Sequence, residues 1–310
     1  MDTGGSNANR AVNCAVLLEF AAMAALQPTR DQSGLDKLVI SNSACTGEIY
    51  LQGGHVTRWQ PTGAKPVLFM SEKSWFAADK PIRGGVPLCL PWFGPRGNAP
   101  ASATPSPAHG FVRLRLWRVC AARPEADAHE VVLETTHDGQ SYDWPQSFSV
   151  HHALHMGKQL DMILTVTNTG ATPMTFESAQ HTYFAVSDVR QVTVDGLDGT
   201  DYLDKVDGAK RKTQSGPITI TGETDRIYLD TTGDLVIVDP LWQRRIRVHK
   251  ENSRNTVVWN PWIDKAKAMP DFGDEEWPGM ICVETCNVKD DAVTLAPGES
   301  HVMATTITVE

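Results

Sequence analysis

The chain is 310 residues long, enough to bury a large core without a disulfide or metal staple. Hydrophobic residues make up 41% and charged residues 21%, an ordinary globular composition that excludes wholesale disorder. Lys+Arg 28 against Asp+Glu 37 gives a net charge of −9, which argues against a nucleic-acid or membrane partner and leaves any anion to be held by a few placed arginines.

In chain order, residues 11–26 form the most apolar stretch, but Glu19 interrupts it and it falls short of a membrane span. Its flanks lack the basic start and charge-free core of a signal peptide. It reads as an amphipathic or frayed helix at the head of an extension over 1–34, and the compartment as cytoplasmic. The six cysteines, Cys14, Cys45, Cys89, Cys120, Cys282 and Cys286, are scattered without a CxxC pair and read as free thiols.

From about residue 38 short apolar runs alternate with turn residues, at 48–51, 66–70, 111–120, 130–135, 159–168, 191–194, 234–239, 244–250 and 301–309. Over 111–117 the period is two, which predicts a half-buried strand with Val112, Leu114 and Leu116 on one face and Arg113 and Arg115 on the other. Residues 156–159 read as the tight turn of a hairpin. The Ala-, Ser- and Pro-rich piece 97–108 reads as a mobile loop that delivers His109 to the rim of a sheet, or as a plain surface loop. Besides the N-terminal segment only one helix is expected, capped by Asn260 with Pro261 at its first position and stopped before Pro270. So many strands with so little helix predict an all-β fold, a sandwich or barrel, forming one domain over 35–310.

Three places break the local pattern. Glu284 shares a strand face with Cys282 and Cys286 in a run that otherwise looks buried, so it is either a desolvated base or a structural carboxylate paired with Lys or Arg. His181 lies among small and aromatic residues, as a functional imidazole or as a core histidine bonded to a carbonyl. Arg83 precedes Gly84 and Gly85, which would let a ligand approach the backbone, and Trp92 and Phe93 offer flat faces for sugar C–H surfaces. His151, His152 and His155 have metal-like spacing, but no acid or thiol joins them in sequence, and no metal site is expected. Arg244, Arg245 and Arg247 read as a solvated strand face. No GxGxxG, Walker-type loop or GxSxG is present.

Together these runs resemble the hexose-6-phosphate mutarotase (glucose-6-phosphate 1-epimerase) family of the galactose-mutarotase-like group. The motifs are Gly53-Gly-His-Val-Thr-Arg-Trp59, Lys80-Pro-Ile-Arg-Gly-Gly85, Pro91-Trp-Phe-Gly-Pro95, His109-Gly-Phe-Val-Arg113, His181-Thr-Tyr-Phe184, Thr224-Asp-Arg-Ile-Tyr228, Val257-Val-Trp-Asn-Pro261 and Cys282-Val-Glu-Thr285, in family order. The resemblance implies a large antiparallel β-sandwich (a supersandwich), and interconversion of the α and β anomers of a hexose 6-phosphate by acid/base ring opening and reclosure. It implies His181 as general acid, as imidazolium, and Glu284 as general base, as carboxylate. Arg83 and Arg113 match the phosphate-holding positions, Asp225 an acid that hydrogen-bonds the sugar, and His109 a second histidine near the ring oxygen. Ala108 stands where some members carry Gln. The reaction needs no cofactor, and the implied partner is a small phosphosugar bound by a monomer. The rivals are a mutarotase for unphosphorylated aldoses, disfavoured by the two arginines, and a non-catalytic carbohydrate-binding sandwich, which has no use for His181 and Glu284 together. Glycoside hydrolysis would call for paired carboxylates.

Overall fold

The computed structural model describes residues 26–96, 106–142 and 144–310. The helix expected over 11–26 and the body of the loop expected over 97–108 lie outside the described residues.

Two large antiparallel sheets share one hydrophobic core, which contains Trp59, Phe111, Trp117, Phe148, Tyr183 and Tyr228. Each such side chain taken fully out of water contributes ~1.5–3 kcal/mol before the entropy of ordering is counted. In the nine-stranded sheet the order is Ile218–Thr219, Thr193–Asp195, Leu235–Asp239, Arg244–Glu251, Ser300–Val309, Leu160–Asn168, Phe148–Met156, His129–His137 and Arg118–Pro124. In the eight-stranded sheet Lys210–Thr213, Asp201–Asp204, Thr224–Tyr228, Asn255–Asn260, Met280–Asn287, Ser178–Gln180 and Leu88–Cys89 follow one another, and Tyr183–Ala185 also pairs with Met280–Asn287. A four-stranded sheet from Thr29–Arg30 to His55–Pro61 adds to this frame. The fold is the expected large antiparallel β-sandwich.

Strand Phe148–Met156 has strict period-two burial, with Val150, His152, Leu154 and Met156 inward. It turns through Gly157, whose N–H bonds to Gln159 O at 3.0 Å, into Leu160–Asn168, as the hairpin signal predicts. The helix is also present, as Trp262–Ala268, with Asn260 Oδ1 accepting the Trp262 N–H at 2.9 Å. Among the described residues no helix is long and apolar enough to cross a membrane.

Several expectations are corrected. Residues 111–117 are not a strand: Val112–Leu114 is one 3-10 turn, Leu116 is exposed, and Arg113 is partly buried. Phe111 and Trp117 are both fully buried and share strand parity with Arg113 and Arg115. A straight strand would point both arginines the same way as the buried aromatics, and the turn breaks that alternation, leaving Arg113 and Arg115 half-buried. The run 66–70 makes only isolated bridges, at Leu68 and Met70. Arg244 is buried, not solvated, because it shares its inward face with Ile246 and Val248, and its guanidinium donates to the carbonyls of Pro66 and Ala185 at 2.8 and 2.5 Å. Acids do join the histidine run: the register sets Glu134 opposite His151, at 3.2 Å, and Asp161 opposite His155, at 3.3 Å. Cys45, Cys89, Cys282 and Cys286 are free and buried, and Cys14 lies outside the described residues. Thr29–Arg30 pairs with Asp36–Ser41.

Candidate active site

Strand Met280–Asn287 is buried along its whole length, so both of its faces are occupied. Its neighbour Gln180 turns toward the nine-stranded sheet, donating to Met162 O at 3.1 Å and accepting from Thr305. Gln180 pairs with Thr285, so Thr285 lies on that inner face and Glu284 on the opposite, outer one. Pairing to Met280–Asn287 runs through Gln180–Thr285, breaks, and resumes at Tyr183–Cys282. His181 occupies the break, with its N–H bonded to Pro87 O at 3.0 Å. Its ring meets Glu284, Nε2 to Oε1, at 3.3 Å.

Aromatic rings fix the imidazole. Tyr183 stacks on His181 at 4.9 Å, and Trp259, Phe93 and His109 surround it at 6.2, 6.4 and 5.5 Å. His109 is in turn edge-on to Phe93 at 4.7 Å, and its Nδ1 accepts the Gly94 N–H at 3.3 Å. It has a φ of 62°, and Gly110 follows with φ 70°; a Cβ on Gly110 would stand 1.9 Å from Leu90 O, so only glycine lets the chain cross there.

The two arginines differ. Arg83 donates from Nη1 to the Tyr183 hydroxyl at 3.0 Å and grips buried Asp271 through Nη2 and Nε at 3.0–3.2 Å. Burial pulls its pKa down, but Tyr183 and Asp271 outweigh burial and hold it above the ordinary value. Arg113 donates from Nη2 to Ala108 O at 2.7 Å, its enclosed Nε has no partner, and among the described residues it has no ion pair. Burial accordingly lowers its pKa. Asp225 pairs with Lys205 at 2.9 Å, and the Lys205 ammonium stands 5.8 Å from the Phe93 ring centroid.

Burial pushes the Glu284 carboxyl well above the carboxylate range, with Asp225 adding to the effect. Burial, then Arg113 and Arg83, push His181 well below the ordinary imidazole value. Both shifts disfavour the charged form of each group, the direction opposite to the carboxylate and imidazolium that the resemblance implied. Burial and then Arg113 likewise push His109 well below the ordinary imidazole value.

His181, Glu284, His109, Arg83 and Arg113 thus belong to one electrostatically connected cluster, and Asp225 acts on Glu284 from its edge. Trp92 is not an open sugar platform: it is 6% exposed, packs on Phe111 and Trp144 at 5.7 and 5.9 Å, and has Arg96 over its ring. Phe93 takes the place beside the histidines. Gly84 and Gly85 admit the chain's own backbone rather than a ligand, since a Cβ on Gly85 would lie 2.3 Å from Val56 O. Asp271, Tyr183 and Lys205 were not singled out in the sequence. Asp271 follows a helix in an unremarked Met-Pro-Asp-Phe stretch, and nothing local signals its grip on Arg83.

The arrangement offers a proton donor and acceptor in contact, walls of aromatic carbon, and a cation without a counter-ion. The family model described as aldose 1-epimerase matches residues 36–308. A Cenchrus ciliaris protein named "Putative glucose-6-phosphate 1-epimerase" is 39% identical over 280 residues, covering 86% of this chain and 82% of that one. An Escherichia coli K12 protein of the same name is 35% identical over 270 residues, covering 86% and 88%. The crystal structure of a "putative mutarotase" from Salmonella typhimurium superposes with a TM-score of 0.84 at 30% identity, covering 93% of this chain and 95% of that one. The chain belongs to the aldose 1-epimerase family and is an isomerase of that class.

Proposed function

We propose that the substrate is a hexose 6-phosphate, glucose 6-phosphate foremost, and that His181 and Glu284 move the protons that interconvert its anomers. The observation that carries the phosphate is Arg113, a cation with an enclosed, unpartnered Nε and no ion pair among the described residues, beside the His181–Glu284 contact. A buried cation without a counter-ion is costly, and a bound phosphate dianion removes that cost. The names borne by the relatives support the same substrate.

Ring opening requires loss of the C1 hydroxyl proton and gain of a proton at the ring oxygen. The pair holds one proton whichever member carries it, and the 3.3 Å contact lets that proton pass from Glu284 to His181 without changing the count. Phosphate at Arg113 and Arg83 offsets two of the charges that disfavour imidazolium, which promotes the transfer. Glu284 then takes the C1 hydroxyl proton while His181 protonates the ring oxygen. The open aldehyde turns about C1–C2 and recloses with both transfers reversed. Each positioned group contributes ~10²–10⁴-fold. Only protons move, so the chemistry calls for no cofactor.

In this reading Arg113 carries the phosphate charge, and Arg83, clamped by Asp271, orients it. Asp225 and His109 contact the sugar from the rim, and Trp92 supports the wall behind Phe93. Residues 35–310 act as one domain, a reading supported by the core common to both large sheets. The acidic charge and the buried thiols support a cytoplasmic monomer working on a freely diffusing phosphosugar.

The test is anomer exchange by saturation-transfer NMR on glucose 6-phosphate, glucose and galactose, with and without protein. Acceleration confined to the phosphorylated sugar is expected. Acceleration of the free sugars alone would overturn the phosphate assignment, and none at all would favour a binding module.

A further inference from the structure

We propose that His181, Cys282 and Glu284 also form a binding site for a thiophilic divalent cation of the zinc class, and that filling it shuts off the sugar chemistry. One ligand atom from each residue, an imidazole nitrogen, the thiol sulfur and a carboxylate oxygen, lies within 4.8 Å of the other two. The His181 and Glu284 atoms are already 3.3 Å apart. A tetrahedral zinc ion with bonds of about 2.0–2.3 Å spaces its ligands roughly 3.5 Å apart, so side-chain shifts on the order of an ångström close the set.

Unsatisfied groups point the same way. His181 Nδ1 and Glu284 Oε2 have no hydrogen-bond partner, although His181 is 8% and Glu284 1% exposed. Buried polar atoms are normally paired, and ligation would recruit a carboxylate and an imidazole that are incompletely engaged. Charge also balances: a dication with one thiolate and one carboxylate is neutral, and this enclosed site disfavours any net charge. The sulfur ligand selects zinc or cadmium over magnesium or calcium. Cys282 has no part in the sugar reaction described above, and its thiol is free.

On binding, metal–sulfur, metal–nitrogen and metal–oxygen bonds form, and the thiol and the carboxyl each release a proton to solvent. No electron changes hands. The ion occupies the imidazole lone pair and the carboxylate, so metal and turnover exclude one another. Only this inhibitory consequence rests on the proposed function; occupancy itself does not.

The experiment uses the full chain, stripped of metal. Cadmium alone should give a thiolate-to-cadmium absorption band saturating at one ion per chain, displaced by zinc and untouched by magnesium. Stoichiometric zinc should abolish anomer exchange, and EDTA should restore it. Cys282→Ala should keep its metal-free exchange rate, lose the cadmium band, and need at least tenfold more zinc for half-inhibition. Cys286→Ala, which removes a neighbouring thiol, should behave as wild type. If the alanine variant does not fold, Cys282→Ser replaces it. Absence of the band in wild type, or its persistence with unchanged zinc sensitivity in the Cys282 variant, would overturn the proposal. Because the band needs no turnover, a chain without exchange activity still decides the metal site.

Discussion

His181 Nε2 rests 3.3 Å from Glu284 Oε1, and the contact exists because the pairing to strand Met280–Asn287 breaks where His181 passes. That gap sets a ring nitrogen against a carboxyl that faces away from the inter-sheet core. Burial then pushes the carboxyl's pKa up and the imidazole's down.

Glu284→Gln should reduce anomer exchange of glucose 6-phosphate by ~10²–10⁴-fold while changing phosphosugar affinity little. Gln preserves the volume but cannot accept the C1 hydroxyl proton. Saturation-transfer NMR and calorimetric titration measure the two quantities separately. Retained exchange would remove Glu284 from the reaction.

Arg113→Ala should raise KM for the phosphorylated sugar by ~10–100-fold, since a charge-assisted hydrogen bond is worth about 1.5–3 kcal/mol. Any residual exchange of free glucose should be unaffected. An equal loss on both sugars would show that Arg113 does not serve phosphate.

Asp271→Asn tests the clamp on Arg83. Breaking a buried ion pair from one side costs ~3–5 kcal/mol; Arg83 keeps some solvent contact, so a loss of roughly 2–3 kcal/mol is expected. Urea unfolding measures it. A loss below ~0.5 kcal/mol would mean that Tyr183 alone holds Arg83.

His55 and His152 make stability depend on pH. Burial, joined at His55 by Arg113 and His152 and opposed by the Gly84 and Gly54 carbonyls, lowers each to about 4. Both are neutral when folded, whereas the unfolded chain takes up protons near the ordinary value of about 6.5. Their contribution is therefore complete above pH 6.5 and is lost as pH falls from there to about 4, on the order of 3 kcal/mol for each residue. Urea midpoints between pH 7 and 4 should decline over that window, and His152→Gln should flatten the decline.

Truncation should be sensitive to a few residues. A chain lacking 1–31 loses the Thr29–Arg30 strand and the Asp31 carboxylate that accepts the Tyr50 hydroxyl at 2.5 Å. It should be less stable than a chain lacking 1–25 by about 1–2 kcal/mol. Equal melting curves would mean that this strand contributes nothing.

The sequence by itself determined the all-β architecture, the hairpin around Gly157 and the helix after Asn260. Period-two burial and turn chemistry are local properties that any neighbouring strand must respect. It also singled out His181 and Glu284, because polar groups in apolar runs are conspicuous, and Arg83 for the glycines that follow it; Arg113 stood out only through the family resemblance. Tertiary structure decided what those groups meet. Asp271 reaches Arg83, Trp92 packs on Phe111, and Tyr183 stacks on His181 where the strand pairing breaks. The turn at Val112–Leu114 and the burial of Arg244 follow from competition for the core, where bulky aromatics and satisfied carbonyls outweigh local alternation. The shifted acidities of His181 and Glu284 were decided the same way, by desolvation, which depends on everything packed around a residue and is therefore not written in its neighbours along the chain.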